Sequence, residues 1–276
     1  MMLVTPAAYP ALQPLFADMQ NHLPVVAALR GDIEADVYAD DPARPHVALV
    51  DVRHCRLYVA GQATDQTVDT CAHLLTEVIN PSARADGVPV FSLCVAPGGW
   101  EAHMDVLLGG RPFQRTERQY YEFDTAQLPR NASVPAGYGL READATLLAQ
   151  AGLADLDALR EEMTSERASV EEFLARSFGV CPVTTDALVG WCLSEYNTGD
   201  RCEVGIATLP PHQGKGLATA TGSAFIQQAL ARGITRIGWH CYTANRPSWA
   251  TALKIGFTKA EDYPAYLIWC TGKNTA

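Results

Sequence analysis

The stretch TLPPHQGKGLATATG, residues 208–222, constrains this chain more than any other. It follows an alternating run, RCEVGIATL, and leads into a helical pattern from Leu217 to Arg232, with two glycines flanking a lysine at the join. A strand that turns through a tight glycine loop into a helix leaves the first helical amides unpaired at the positive end of the helix dipole, and glycine lets the backbone close on an anion. Gln213, Gly214, Lys215, Gly216, Leu217 and Ala218 form that loop, and Lys215 adds a cation. A P-loop is excluded by spacing: no glycine lies five places before Gly214, and no hydroxyl residue follows Lys215. The dinucleotide fingerprint G-x-G-x-x-G meets Thr219 where its third glycine belongs, and the neighbouring strands read as antiparallel instead of a βαβ unit.

At 276 residues the chain suits two domains, and its 48% hydrophobic and 19% charged residues are those of a globular protein. The net charge of -10 repels phosphate backbones, which argues against nucleic acid as a partner and for cationic or neutral small substrates. The start, MMLVTPAAYPALQPLF, has no basic residue ahead of its apolar part and makes a poor secretory signal. No apolar run approaches the roughly 20 residues of a membrane helix, so no membrane partner is expected. Eight dispersed cysteines without a C-x-x-C pair read as buried reduced thiols, with no metal site, and a cytoplasmic location fits.

Residues 129–139, PRNASVPAGYG, have linker composition, which places an N-terminal α/β domain at 1–130 and a second domain at 138–276. The first reads as short helices near 12–20 and 25–30, strands in ADVYAD, HVALVDV and RLYVAG, a helix over 67–79, a strand in VPVFSLCVA, a helix over 100–108 and a strand in RQYYEF. The second reads as a strand in YGLRE, helices over 144–158 and 169–178, strands in VCPVTT, ALVGWCLSEY and RCEVGIATL, the helix from Leu217, a strand in TRIGWHCY, a helix over 247–255 and a strand in AYLIWC. Both halves close in the same order, as VFSLCVAPGGWEAHMDVLLGGRPF and IGWHCYTANRPSWATALKIGF show, which hints at a duplication.

QGKGLA matches Q/R-x-x-G-x-G/A, and it is followed by NRPSWATALKIGF, which matches N-x-x-[AS]-x-x-x-x-x-K-x-G-F through Asn245, Ser248, Lys254, Gly256 and Phe257. On these motifs the chain resembles the GNAT superfamily of N-acetyltransferases over about residues 138–270, with the N-terminal half outside the resemblance. The resemblance implies an α/β (α+β) fold with a mixed, mostly antiparallel central sheet flanked by helices, preceded by a second α/β domain read as a degenerate GNAT-like half. It also implies acetyl-CoA as acyl donor, a small-molecule or peptide amine as acceptor, a monomer or homodimer, and transfer in a ternary complex. Ile206, Ala207, Thr208, the residues Gln213 to Ala218 and Asn245 then hold the coenzyme. A non-catalytic acyl-CoA sensor is the alternative, favoured by Ala252 at the position where many members carry a tyrosine.

A protonated alkylamine, with a pKa of about 10.4, must lose a proton before it attacks, so a general base is expected. Glu203 is the candidate: strand alternation puts it on one face with Gly205 and Ala207, two small residues that leave room for a ligand. A solvated glutamate at a strand start is the other reading of the same residue. For the general acid, Tyr242, Ser248, Tyr263 and Tyr266 offer hydroxyls, each equally readable as a packed or capping residue. Tyr242 and Ser248 complete the catalytic set with Glu203. His240, on the face of Gly238 and Tyr242, reads as structural, His212 as exposed, and Trp191, Trp239 and Trp249 as core.

Overall fold

The computed structural model describes residues 1–130 and 132–270. Asn131, within the expected linker, and residues 271–276, at the end of the expected second domain, lie outside the described residues. The strands are β1 (Met2–Leu3), β2 (Asp36–Ala39), β3 (Val47–Val52), β4 (Arg56–Gly61), β5 (Val90–Val95) and β6 (Phe113–Phe123), then β7 (Gly139–Glu142), β8 (Gly179–Val183), β9 (Gly190–Thr198), β10 (Arg201–Thr208), β11 (Arg236–Tyr242) and β12 (Thr258–Trp269).

The chain forms two compact units, one of Met1–Arg118 with the residues from Tyr263 onward, the other Gln119–Asp262. The change-over falls inside β6 and β12, whereas composition pointed to 129–139. Both strands run further than their apolar patterns suggest. In β12 the first half carries Lys259, Glu261 and Asp262, with Pro264 close behind, features that weaken a strand pattern. Its second half buries Tyr263, Ala265, Tyr266 and Ile268.

In the first unit β1 to β4 pair antiparallel in sequence, β4 pairs parallel with β5, and β12 pairs antiparallel with β5. The β4-to-β5 crossover begins with helix Asp65–Leu74, started by a capping box in which Thr64 and Thr67 exchange hydrogen bonds. Leu57, Val59, Phe91 and Leu93 of the sheet pack against Val68, Cys71 and Leu74 of this helix, with Trp100 and Met104 completing the core. The β4–β5 pairing runs from Arg56 and Ser92 to Val59 and Val95, and past it the Ala63 amide still donates to Gly98 O at 2.9 Å. The Trp100 indole, 1% exposed, donates to Gly61 O at 2.8 Å. The two chain segments are thereby kept together beyond their paired strands.

In the second unit β7 to β10 pair antiparallel in sequence, and β11 pairs parallel with β10 and neighbours β6. The strand–helix–strand from β10 to β11 is thus a βαβ unit, contrary to the antiparallel reading of these neighbours; side-chain alternation carries no information about strand direction, whereas a crossover helix of 15 residues, Leu217–Ala231, does. One face of this sheet packs Phe178, Cys202, Ile237 and Trp239 against Phe225 and Ile226 of that helix and Ile255 of helix Arg246–Ile255. The other face packs Cys181, Trp191 and Leu193 against Leu159, Met163 and Phe173 from helices Leu156–Glu166 and Val170–Arg176. The helix expected over 144–158 is interrupted, Ala145–Leu148 being separated from Leu156–Glu166 by Gly152 and Asp155, both with positive φ.

All eight cysteines are free, seven of them buried, and burial pushes the thiols of Cys71 and Cys181 up to about 12. Among the described residues no helix is long and apolar enough to cross a membrane.

Trp100→Ala, which removes a fully buried indole and orphans the Gly61 carbonyl, is expected to cost about 3–5 kcal/mol of unfolding free energy in urea titrations followed by circular dichroism. A loss below about 1 kcal/mol contradicts its place in the core.

Candidate active site

The site begins where two parallel strands part. β10 and β11 pair at Arg201–Arg236, Cys202–Ile237 and Glu203–Gly238, and the pairing stops there, although β10 continues to Thr208 and β11 to Tyr242. On its other side β10 stays paired with β9 as far as Thr208 and Gly190. Alternate backbone N–H and C=O groups of residues 204–208 therefore face a gap with no strand across it among the described residues. Ile206, Ala207 and Thr208 lie on this edge, half-buried.

The edge runs directly into the glycine loop. A short 3-10 turn, Pro210–His212, precedes Gln213, whose side-chain amide donates to Thr208 O at 2.8 Å and ties the loop to the strand end. Gly214 and Gly216 have φ of +74° and +84°, the left-handed region that costs an L-residue roughly 1–2 kcal/mol. A Cβ on either glycine would meet nothing within 4 Å, so it is backbone handedness, not crowding, that selects glycine. Helix Leu217–Ala231 starts at Gly216 with no side-chain cap, leaving its first amides and dipole end turned to the loop. Leu217 is buried and anchors this start, while Ala218 is half-buried.

Lys215 is held at the rim. Its Nζ donates to Tyr138 Oη at 3.0 Å and to Pro211 O at 3.1 Å, and the Tyr138 hydroxyl is 3.0 Å from His212 Nδ1. His212, expected to be exposed, is half-buried against the Tyr138 ring.

Glu203 occupies the fork itself. It is only 4% exposed, which removes the reading of a solvated strand-start glutamate. His240 Nε2 lies 3.3 Å from Glu203 Oε1, and the Tyr120 ring of β6 packs on His240 with centroids 4.7 Å apart. Burial, and then the carboxylates of Glu122 and Glu203, raise the Tyr120 phenol above its ordinary value and keep it protonated. Gly238 makes the convergence possible: a Cβ there would sit 2.9 Å from Tyr120 Cε2 and 3.4 Å from Glu203 Cγ. The space beside Gly205 is not free for a ligand, because the Glu195 carboxylate from β9 fills it, and Glu195 is the direct cross-strand partner of Glu203.

Tyr242 ends β11, half-buried, and alternation puts it on the face of Gly238 and His240. Asn245 caps helix Arg246–Ile255, its Oδ1 accepting from the Ser248 amide at 3.3 Å, and Ser248 Oγ accepts the Trp239 indole N–H at 2.9 Å. Both are engaged in holding this helix start. Ala252 is fully buried in the core. Tyr263 and Tyr266 belong to the other unit, where they pack on His22 and Phe113. Sequence reasoning passed over His240 and Tyr120; the available signal was the alternation Gly238, His240, Tyr242, with a glycine where a strand usually carries a side chain.

A model of the GNAT acetyltransferase family matches residues 13–266, so the match takes in the N-terminal half as well as the part that carries the motifs. The uncharacterized N-acetyltransferase YdfB of Bacillus subtilis (strain 168) is 25% identical over 264 residues, covering 95% of this chain and 97% of the relative. Among solved structures, a GCN5-related N-acetyltransferase-like protein from Streptococcus suis 89/1591 is similar in fold, with a TM-score of 0.69 at 20% identity over 95% of this chain and 98% of its own. A tandem GNAT protein from the clavulanic acid biosynthesis pathway superposes with a TM-score of 0.61 at 15% identity over 99% of both chains.

Gly238→Ala forces Tyr120 and Glu203 apart in a packed interior, and the expected loss is about 1–3 kcal/mol in urea unfolding. An unchanged midpoint and slope contradict the described convergence.

Proposed function

This chain belongs to the GNAT acetyltransferase family, and on that premise we propose that its second unit takes acetyl-CoA along the open edge of β10 and transfers the acetyl group to a primary amine of a small molecule or peptide by direct attack in a ternary complex. The observation that carries the reading is the continuity of the fork, the unpaired edge at 204–208 and the uncapped helix start at Gly216. The backbone groups of Ile206, Ala207 and Thr208 offer hydrogen bonds to an extended pantetheine arm, and Asn245 stands at the start of the following helix to meet it. Gln213 to Ala218 present amides and a dipole end to the pyrophosphate, with Lys215 adding positive charge at the rim. The residues fit the coenzyme because the loop is open at both glycines and leads into a helix start with no side-chain cap.

Glu203 is assigned as the base. It accepts the proton that an ammonium must give up before its nitrogen can attack the thioester carbon. A departing thiol, with an acidity of about 8.5, demands little acid assistance. Tyr242, on the same face as His240, is assigned to donate to the thiolate and to regain a proton from the nitrogen, which sheds its second proton as the C–S bond breaks and the amide forms, and Ser248 retains its own hydroxyl proton as a second donor while accepting from Trp239. Eight free thiols suit a reducing, cytoplasmic setting.

One site per chain is proposed. In the first unit the equivalent helix start is occupied by its own capping box, with Asp65 in the first turn to repel phosphate, and chain contact continues past the parallel pair. The N-terminal half thus has the strand order without the opening.

Gly216→Asp places a bulky anion in the cradle and is expected to abolish acetyl-CoA binding in calorimetric titration while the circular dichroism spectrum persists; wild-type affinity contradicts the loop assignment. Glu203→Gln is expected to lower kcat about 10²–10⁴-fold in a free-thiol release assay on an amine panel, most at lower pH, with acetyl-CoA affinity kept. Undiminished turnover removes Glu203 as base. Wild-type protein that binds acetyl-CoA but shows no thiol release with any amine of the panel would instead support a sensor.

A further inference from the structure

We infer that Tyr138 and His212 are positioning residues for Lys215: they hold its ammonium at the rim of the glycine loop, ready for the phosphate end of the coenzyme, and take no part at the reacting atoms. The inference rests on the loop being the coenzyme's phosphate site. Lys215 is the one lysine or arginine in residues 208–222, so where its charge stands decides what the loop's side chains offer a diphosphate. Glycines with φ of +74° and +84° flank it, and it is exposed. A lysine so placed and left untied samples many rotamers, and that freedom is lost when it meets a phosphate.

The tie to Tyr138 removes that freedom before the ligand arrives. Lys215 Nζ donates to Tyr138 Oη at 3.0 Å and to Pro211 O at 3.1 Å, and it stands 5.7 Å from the centre of the Tyr138 ring, within cation–π range. Tyr138 is itself held from two directions. Its amide donates to Pro135 O at 3.2 Å, and the next residue, Gly139, opens β7 in register with Val183 of β8. Its hydroxyl lies 3.0 Å from His212 Nδ1, a bond made whichever of the two atoms carries the proton, and the two rings meet edge to face at 88° with centroids 5.7 Å apart. His212 ends the turn Pro210–His212 and its amide donates to Leu209 O at 2.9 Å, so the strand end, the turn and the lysine share one frame. Among the described residues Lys215 pairs with no carboxylate, and two of its three N–H donors go to Tyr138 and Pro211. The third donor is the one a phosphate oxygen takes, from an ammonium that needs no reordering to give it.

The test is calorimetric titration of acetyl-CoA into the full-length protein and its variants. Lys215→Met should weaken binding about 10- to 100-fold, the worth of one hydrogen bond between charged groups. Tyr138→Phe keeps the ring and removes the hydroxyl, so the lysine must be ordered on binding and affinity should fall about 2- to 10-fold. In a Lys215→Met background Tyr138→Phe should cause no further loss, because a residue that acts through Lys215 has nothing left to position. The gap between wild type and Tyr138→Phe should also narrow as salt rises from about 0.05 M to about 1 M and screens the lysine from the phosphate, which a purely structural defect would not do. His212→Leu, which takes away the hydroxyl's other partner, makes the same comparison if Tyr138→Phe does not fold. Unchanged or tighter binding by Tyr138→Phe, or an equal loss with and without Lys215, overturns the positioning role while leaving the loop assignment intact, as does wild-type affinity in Lys215→Met when Gly216→Asp abolishes binding. Wild-type affinity in Gly216→Asp, or no binding of acetyl-CoA by the wild type, overturns the loop assignment and this inference together.

Discussion

Everything proposed for this protein depends on the place where β10 and β11 stop pairing. Parallel strands joined by a helix need all their ladder hydrogen bonds in a packed interior, because an unmet backbone group there is costly. Here the ladder ends after Glu203 and Gly238 while both strands continue. The gap is tolerable only if something else, solvent or a ligand backbone, meets those groups. Its position makes it useful, since the edge of β10 delivers directly into Gly214 and Gly216 and the uncapped start of a 15-residue helix. A carboxylate is buried at the apex of the same fork.

The first unit repeats the order of strands and crossover with a different outcome. Its parallel pair β4–β5 is followed by further contact between the same two chain segments, the Trp100 indole meets the Gly61 carbonyl, and threonines close the helix start. The family match takes in both halves. Shared architecture does not carry shared function; the differences lie in a few residues at the strand ends.

The loop was legible in the sequence because glycines at left-handed positions next to a lysine, between a strand pattern and a helix pattern, leave few physical readings. Glu203 was legible as a strand residue, and its burial was not, because the residues that bury it, Tyr120 and His240, come from two other strands. Alternation marks which face a side chain takes, and so it suggested open space beside Gly205 without showing that Glu195 from β9 fills it. Nor does alternation reveal strand direction, which is why the parallel partner of β10 went unread. The long strands β6 and β12 were foreshortened for a different reason: charged residues and Pro264 lower strand propensity locally, while pairing within the sheet overrides it.

The most direct test of the central claim is hydrogen–deuterium exchange of the full-length protein with and without saturating acetyl-CoA. The account predicts slowed exchange in peptides covering residues 204–218 and unchanged exchange over 62–68, the capped helix start of the first unit. Protection at 62–68 in place of 204–218, or at neither, would contradict it.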